Sequence, residues 1–78
     1  MTSVEIEYCV PCGMLDRAQD VQHALLSEYG ERLDSVALVT GDSGVFEVRA
    51  DGETVFDKES DEFDVDAIVS SVGERVSA

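Results

Sequence analysis

The chain has 78 residues, 44% apolar and 29% charged, with 18 Asp and Glu against five Lys and Arg and a net charge of −13. One small domain, residues 1–78, is the organisation this length implies, near the lower size at which a hydrophobic core alone suffices. No basic face can be assembled from Arg17, Arg32, Arg49, Lys58 and Arg75, which argues against nucleic acid, and no apolar run approaches the ~20 residues that span a bilayer.

Two cysteines permit at most one bridge, and nothing upstream of Val4 resembles a signal peptide or anchor, so the expected location is a reducing cytoplasm. The carboxylates are dispersed along the chain instead of gathered in a tail. With a single lysine, such an acidic surface reads as salt-adapted, able to stay hydrated at high salt, with an ordinary solvated surface as the bland alternative. Disorder is set aside because the apolar residues are numerous and patterned.

In chain order, Val4, Ile6 and Tyr8 alternate with Glu5 and Glu7, the period of a strand with one buried and one wet face. From Gly13 the period lengthens. Leu15, Ala18, Val21, Leu25 and Tyr29 recur at helical spacing, with Asp16, Arg17, Gln19, Asp20 and Glu28 opposite and Gly30 as a stop. Val36 to Val39 form an apolar run, expected to be a strand more buried than the first and parallel to it, since a helix separates the two. The loop from Thr40 to Gly44 leads to a third strand, Val45 to Ala50. Asp51-Gly52 signals a tight hairpin, and Glu53 to Asp57 return. Asp64 is placed to cap a second helix carrying Val65, Ile68, Val69 and Val72 on one face, with Gly73 expected to fray or end it.

The stretch with chemistry is Tyr8-Cys9-Val10-Pro11-Cys12-Gly13, where strand gives way to helix. Cysteines separated by two residues can close a bridge. At a helix start, unpaired N–H groups and the positive end of the dipole favour thiolate, while Glu5, Glu7 and Asp16 oppose it. Pro11 is read as sitting where a starting helix does not need its N–H. A Cys-x-x-Cys in a strand-helix-strand unit is a redox context. Zinc needs four ligands and His23 lies about three turns along the helix, so only a dimer pooling two cysteine pairs could complete a site.

His23 reads as a surface residue, Ser43 as turn chemistry, and the acidic run from Asp57 to Asp66 as a solvated face without the order of a calcium loop. Phe46, Phe56 and Phe63 read as core, with Phe46 also a candidate to edge the thiols.

Several ordered segments resemble one family. Tyr8-Cys9-Val10-Pro11-Cys12 after the first strand, Gly44-Val45-Phe46-Glu47-Val48 at the third, Asp51-Gly52-Glu53 at the hairpin, and Val55-Phe56-Asp57-Lys58 followed by Phe63 are similar to the Rdx family, the small selenoprotein W-like proteins. The resemblance runs from about Val4 to Val72. It implies a minimal thioredoxin-like fold with Cys9 and Cys12 as the redox centre. Some members carry selenocysteine at the second motif position, which Cys12 matches, whereas the analogy with thioredoxin favours attack by the first cysteine; both assignments stay open here. Cysteine in place of selenium implies slower reaction with peroxide. Pro11 is the only proline, so the proline that thioredoxins place opposite their active site is missing. Phe56 stands where the family commonly has Trp, and Asp61-Glu62-Phe63-Asp64 replaces a Gly-Gly-Phe-Pro-like segment.

The expected architecture is α/β, a two-layer α+β sandwich in the order β-α-β-β-β-α, with a four-stranded mixed sheet and both helices on one face. The expected function is thiol-disulfide exchange with a protein disulfide or a low-molecular-weight thiol, an oxidoreductase needing neither cofactor nor metal. Cys9 and Cys12 are the reacting groups, with Tyr8, Val10, Pro11 and Phe46 as candidates for partner docking. The alternatives are an interaction module using redox state or an apolar sheet face containing Ala37, Val39 and Val55, and a zinc-bridged dimer.

Overall fold

A computed structural model describes residues 2–76. Its elements are β1 (Thr2–Cys9), α1 (Leu15–Tyr29), a 3-10 turn at Gly30–Arg32, β2 (Leu33–Gly41), β3 (Phe46–Ala50), β4 (Glu53–Asp57) and α2 (Val65–Val76). The four strands form one sheet in the order β2-β1-β3-β4, with β1 parallel to β2 and antiparallel to β3, and β3 antiparallel to β4. This is the expected mixed sheet and two-layer sandwich.

Alternation in β1 sends Val4, Ile6 and Tyr8 into the core, where Ala18, Val21 and Leu25 of α1 and Ile68 and Val72 of α2 meet them. Both helices therefore cover one face. The other face carries Glu5 and Glu7 of β1 beside Glu47 and Arg49 of β3.

Burial of the strands departs from expectation. β1 is interior and β2 lies at the sheet edge, so β1 is the more buried of the two; in β2 only Leu33 and Val36 are buried. Burial follows position in the sheet, and an apolar run does not encode position. β3 starts at Phe46, one residue later than its alternation suggests, because Val45 belongs to the preceding turn. The hairpin is as anticipated: Asp51 and Gly52 both take positive φ, 51° and 84°, as a tight primed turn requires. Asp51 also ties back to the start of β1, accepting at Oδ1 from the Ser3 amide at 3.0 Å and donating its own amide to the Ser3 carbonyl at 2.9 Å. Val48 pairs with Phe56 while Arg49 pairs with Thr54, so Val55 is the extra residue of a bulge; it packs against the core.

Helix α1 begins at Leu15, later than the change of period at Gly13, and Leu15 itself is exposed because the covered stripe begins with Ala18. Pro11 accordingly lies outside the helix. Asp64 caps α2, accepting the Ala67 amide at Oδ1 at 3.3 Å. Gly73 does not end that helix, which continues to Val76; Ser77 and Ala78 lie outside the described residues. The reason is tertiary. A Cβ at Gly73 would lie 3.0 Å from Cζ of Tyr29, whose hydroxyl donates to the Val69 carbonyl at 2.9 Å, so glycine lets the two helices approach.

Candidate functional site

The parallel pairing of β1 with β2 brings both strands to their C-terminal ends at one edge of the sandwich, where β3 starts in the opposite direction. Since β2 and β3 flank β1, the chain joining them must cross the end of β1. It crosses where Cys9 stands.

The motif is held by backbone bonds on both sides. The Cys9 amide donates to the Val45 carbonyl at 2.8 Å and the Val10 amide to the Gly41 carbonyl at 3.1 Å. The Gly13 amide donates to the Val10 carbonyl at 3.1 Å, closing a four-residue turn with Pro11 at its second position, where a fixed φ is favourable, and with Gly13 at φ 72°. Pro11 thus shapes the turn instead of starting the helix. The crossing loop is itself a tight turn: Val45 donates to the Asp42 carbonyl at 3.2 Å, with Ser43 and Gly44 at φ 59° and 79°.

Cys9 and Cys12 form a disulfide with their Cα atoms 5.3 Å apart, inside the range such bonds usually span. The two ends differ in access. Cys9 is 0% exposed, whereas Cys12 lies on the exposed turn beside Pro11 and Val10, the latter 51% exposed.

The other two docking candidates are inside: Tyr8 is 8% exposed and Phe46 2%. They form a cross-strand pair beneath the motif. Phe46 also joins Phe56 and Phe63 in an edge-to-face triad with centroids 5.5 to 6.0 Å apart, as core residues should. The Arg17 guanidinium lies 5.2 Å over the Phe63 ring, which links the first turn of α1 to the approach of α2. Of the four docking candidates, Val10 and Pro11 lie on the exposed turn and Tyr8 and Phe46 are buried.

Charges surround the motif on several elements. Asp16 opens α1 and Asp42 follows Gly41, both exposed. The Glu7 carboxylate lies 2.8 Å from where a Cβ of Gly41 would stand, and Lys58 donates to the Gly44 carbonyl at 3.3 Å. On the open sheet face Arg49 is ringed by Glu5 at 3.5 Å, Glu7 at 3.3 Å and Glu47 at 2.8 Å, and Thr54 donates to Glu47. Partial burial acts to lower the Arg49 pKa, but the hydrogen bond to Glu7, the Glu47 charge and Glu5 outweigh it and raise the pKa above the ordinary arginine value. This face is a charged lattice. Ala37 and Val39 stand beside Glu5 and Glu7 and form no continuous apolar surface, and Val55 packs toward the core.

The described residues include no group of three or more His, Cys, Asp or Glu placed to hold a metal, and His23 is exposed on α1. No described helix is long and apolar enough to cross a membrane. The sequence reading missed the loop that holds the motif and the ring of carboxylates about Arg49. The loop follows from the strand order: residues 42–45 pass over Cys9 because β1 lies between β2 and β3.

No curated protein matches the chain. A protein from Bordetella parapertussis, known as a crystal structure, is 32% identical, with 95% of this chain and 96% of that one covered and a TM-score of 0.89. The crystal structure of a selenoprotein W-related protein from Vibrio cholerae is 23% identical over 96% of each chain with a TM-score of 0.88, a likeness of fold. The Rdx family profile matches residues 3–74, nearly the whole span that carries the sheet, both helices and the Cys9–Cys12 pair, and the chain belongs to the Rdx family.

Proposed function

We propose that the protein carries out thiol-disulfide exchange, with Cys12 as the sulfur that meets the partner and Cys9 as the one that resolves. The observation carrying this reading is the asymmetry of the pair: Cys9 is wholly buried and Cys12 is exposed at a strand-to-helix junction. Only the thiolate is nucleophilic, and the sulfur on the exposed turn is the one a partner disulfide can reach.

From the reduced state, the Cys12 thiolate attacks a partner disulfide. A bond forms between Cys12 and one partner sulfur, and the other leaves as a thiolate and takes up a proton. Cys9 then loses its proton and attacks the Cys12 sulfur. The protein disulfide forms, the mixed disulfide breaks, and the second partner thiol is released. Two electrons pass from the protein dithiol to the partner, and the reverse sequence oxidises a partner dithiol. No cofactor or metal takes part. The partner is a protein disulfide or a low-molecular-weight thiol or disulfide docking on Val10 and Pro11 over Tyr8 and Phe46, in a reducing, salt-rich cytoplasm.

The test is an equilibrium redox titration at high salt, scored by thiol alkylation and intact mass, with trapping by single Cys9→Ser and Cys12→Ser variants. A reversible two-electron transition between about −180 and −270 mV, the span of known exchange proteins, is expected, with mixed disulfide accumulating on the Cys9→Ser variant. A pair that never bridges, or a bridge that resists all reduction, overturns exchange. Capture only by the Cys12→Ser variant reverses the two roles.

A further inference from the structure

We infer that the exchange site selects its partner by charge: cationic and neutral disulfides are its substrates, anionic ones are disfavoured, and Asp16 and Asp42 are the side chains that impose the difference. This rests on the exchange reading above and adds the substrate class.

Three observations combine. The molecule carries a net charge of −13, which at low ionic strength repels any anion approaching the exposed sulfur. The two acidic residues flanking the motif are exposed, Asp16 in the first turn of α1 and Asp42 directly after the glycine whose carbonyl holds Val10. Arg49 is enclosed by Glu5, Glu7 and Glu47, a cluster that remains net negative, whereas Arg17 over Phe63 and Lys58 on the Gly44 carbonyl keep their positive charge. Carboxylates outnumber these cations around the motif, so a partner disulfide at Cys12 meets a field that is negative on balance. The same carboxylates oppose the thiolate itself, and a cationic partner removes that opposition on arrival.

The reduced protein is the electron donor and the probe disulfide the acceptor. The probes are cystamine, a dication; hydroxyethyl disulfide, neutral; and glutathione disulfide, a dianion. Single-turnover oxidation of the pre-reduced protein is followed for each, and every rate is divided by that of dithiothreitol with the same probe to remove intrinsic reactivity. At ~10 mM salt, where charges act over ~30 Å, the normalised preference for cystamine over glutathione disulfide is expected to exceed about tenfold; at 1 M, with a screening length of ~3 Å, it is expected to collapse toward unity.

A charge-matched pair of variants separates local from global field. Asp16→Asn with Asp42→Asn should lower the preference several-fold, while Glu31→Gln with Asp34→Asn, equally exposed but beyond the far end of the 15-residue helix α1, should change it less. A low-salt preference within about twofold of unity, or one insensitive to salt, overturns charge selection. Equal effects of the two double variants overturn the assignment to Asp16 and Asp42. Failure to exchange with all three probes instead overturns the exchange reading, a result distinct from either.

Discussion

The amide of Cys9 donates to the carbonyl of Val45 at 2.8 Å, so the buried sulfur belongs to a residue tied to the loop that enters β3. The next amide, that of Val10, is tied to Gly41 at the loop's other end. The redox turn is thus clamped by two residues that bracket the β2–β3 crossing. A change in that crossing is felt at the disulfide.

Gly41→Ala tests the clamp. A Cβ there would stand 2.7 Å from Cγ1 of Val45 and 2.8 Å from Oε2 of Glu7. Val45 is β-branched and stiff at χ1, and Glu7 is held by Arg49, so neither yields freely. Overpacking of this kind costs about 1–3 kcal/mol, and the loop must shift where it holds Cys9 and Val10. Denaturant titration should show the lost stability, and the redox midpoint should move with it. Wild-type stability and an unchanged midpoint would mean that the loop does not position the motif.

Arg49→Met removes the counter-charge of Glu5, Glu7 and Glu47 together. The arginine side chain is 20% exposed, so the pairs lie between surface and interior behaviour and the expected loss is about 1–3 kcal/mol. Because its pKa is raised, the arginine contributes stability that is fully present below its unfolded value and is lost only as pH rises through the higher folded one. Its contribution is therefore constant across neutral pH. Salt should narrow the gap between variant and wild type by screening the three carboxylates. The wild type, at net charge −13, should itself gain stability between low and molar KCl; a flat profile would remove the case for salt adaptation.

Gly73→Ala has two opposed terms. Alanine favours a helix over glycine by about 1 kcal/mol, but its Cβ would fall 3.0 Å from Cζ of Tyr29 and nearer still to the phenol oxygen, which is itself bonded to Val69. The steric term wins, so thermal or chemical melting should show a less stable protein. In a Tyr29→Ala background the clash is gone and only propensity remains. There the same substitution should stabilise, and a destabilising effect in both backgrounds would refute the packing explanation.

These cases separate what local sequence encodes from what it does not. Asp51-Gly52 and Asp64 act on neighbours in sequence, through a primed turn and an N-cap, and were readable directly. The cysteine pair was readable too, because its spacing and the strand-to-helix change lie within one stretch. Gly73 was misjudged because propensity describes a helix in isolation, and the ring that makes glycine necessary comes from another helix. The apolar run of β2 suggested an interior strand for a similar reason: strand order, which puts β2 at the edge, is a property of the whole sheet. The clamp at Cys9 depends on the same order, since only with β1 between β2 and β3 does the loop cross the motif.

The unequal access of the two sulfurs gives the sharpest test of their roles. In the disulfide form Cys9 lies beneath the turn with its amide bonded to Val45, while Cys12 lies on the exposed turn that precedes α1. Burial shields a thiol from reagents, so a pair that keeps this difference in access on reduction has Cys12 as the reactive group. Brief alkylation of the reduced protein, quantified by peptide mass, should modify Cys12 at least about tenfold faster than Cys9. Its rate should persist in the Cys9→Ser variant, with circular dichroism confirming that the variant is folded. Faster modification of Cys9 in folded protein would mean that reduction opens the turn and exposes the inner sulfur, and the attacking role would then pass to Cys9.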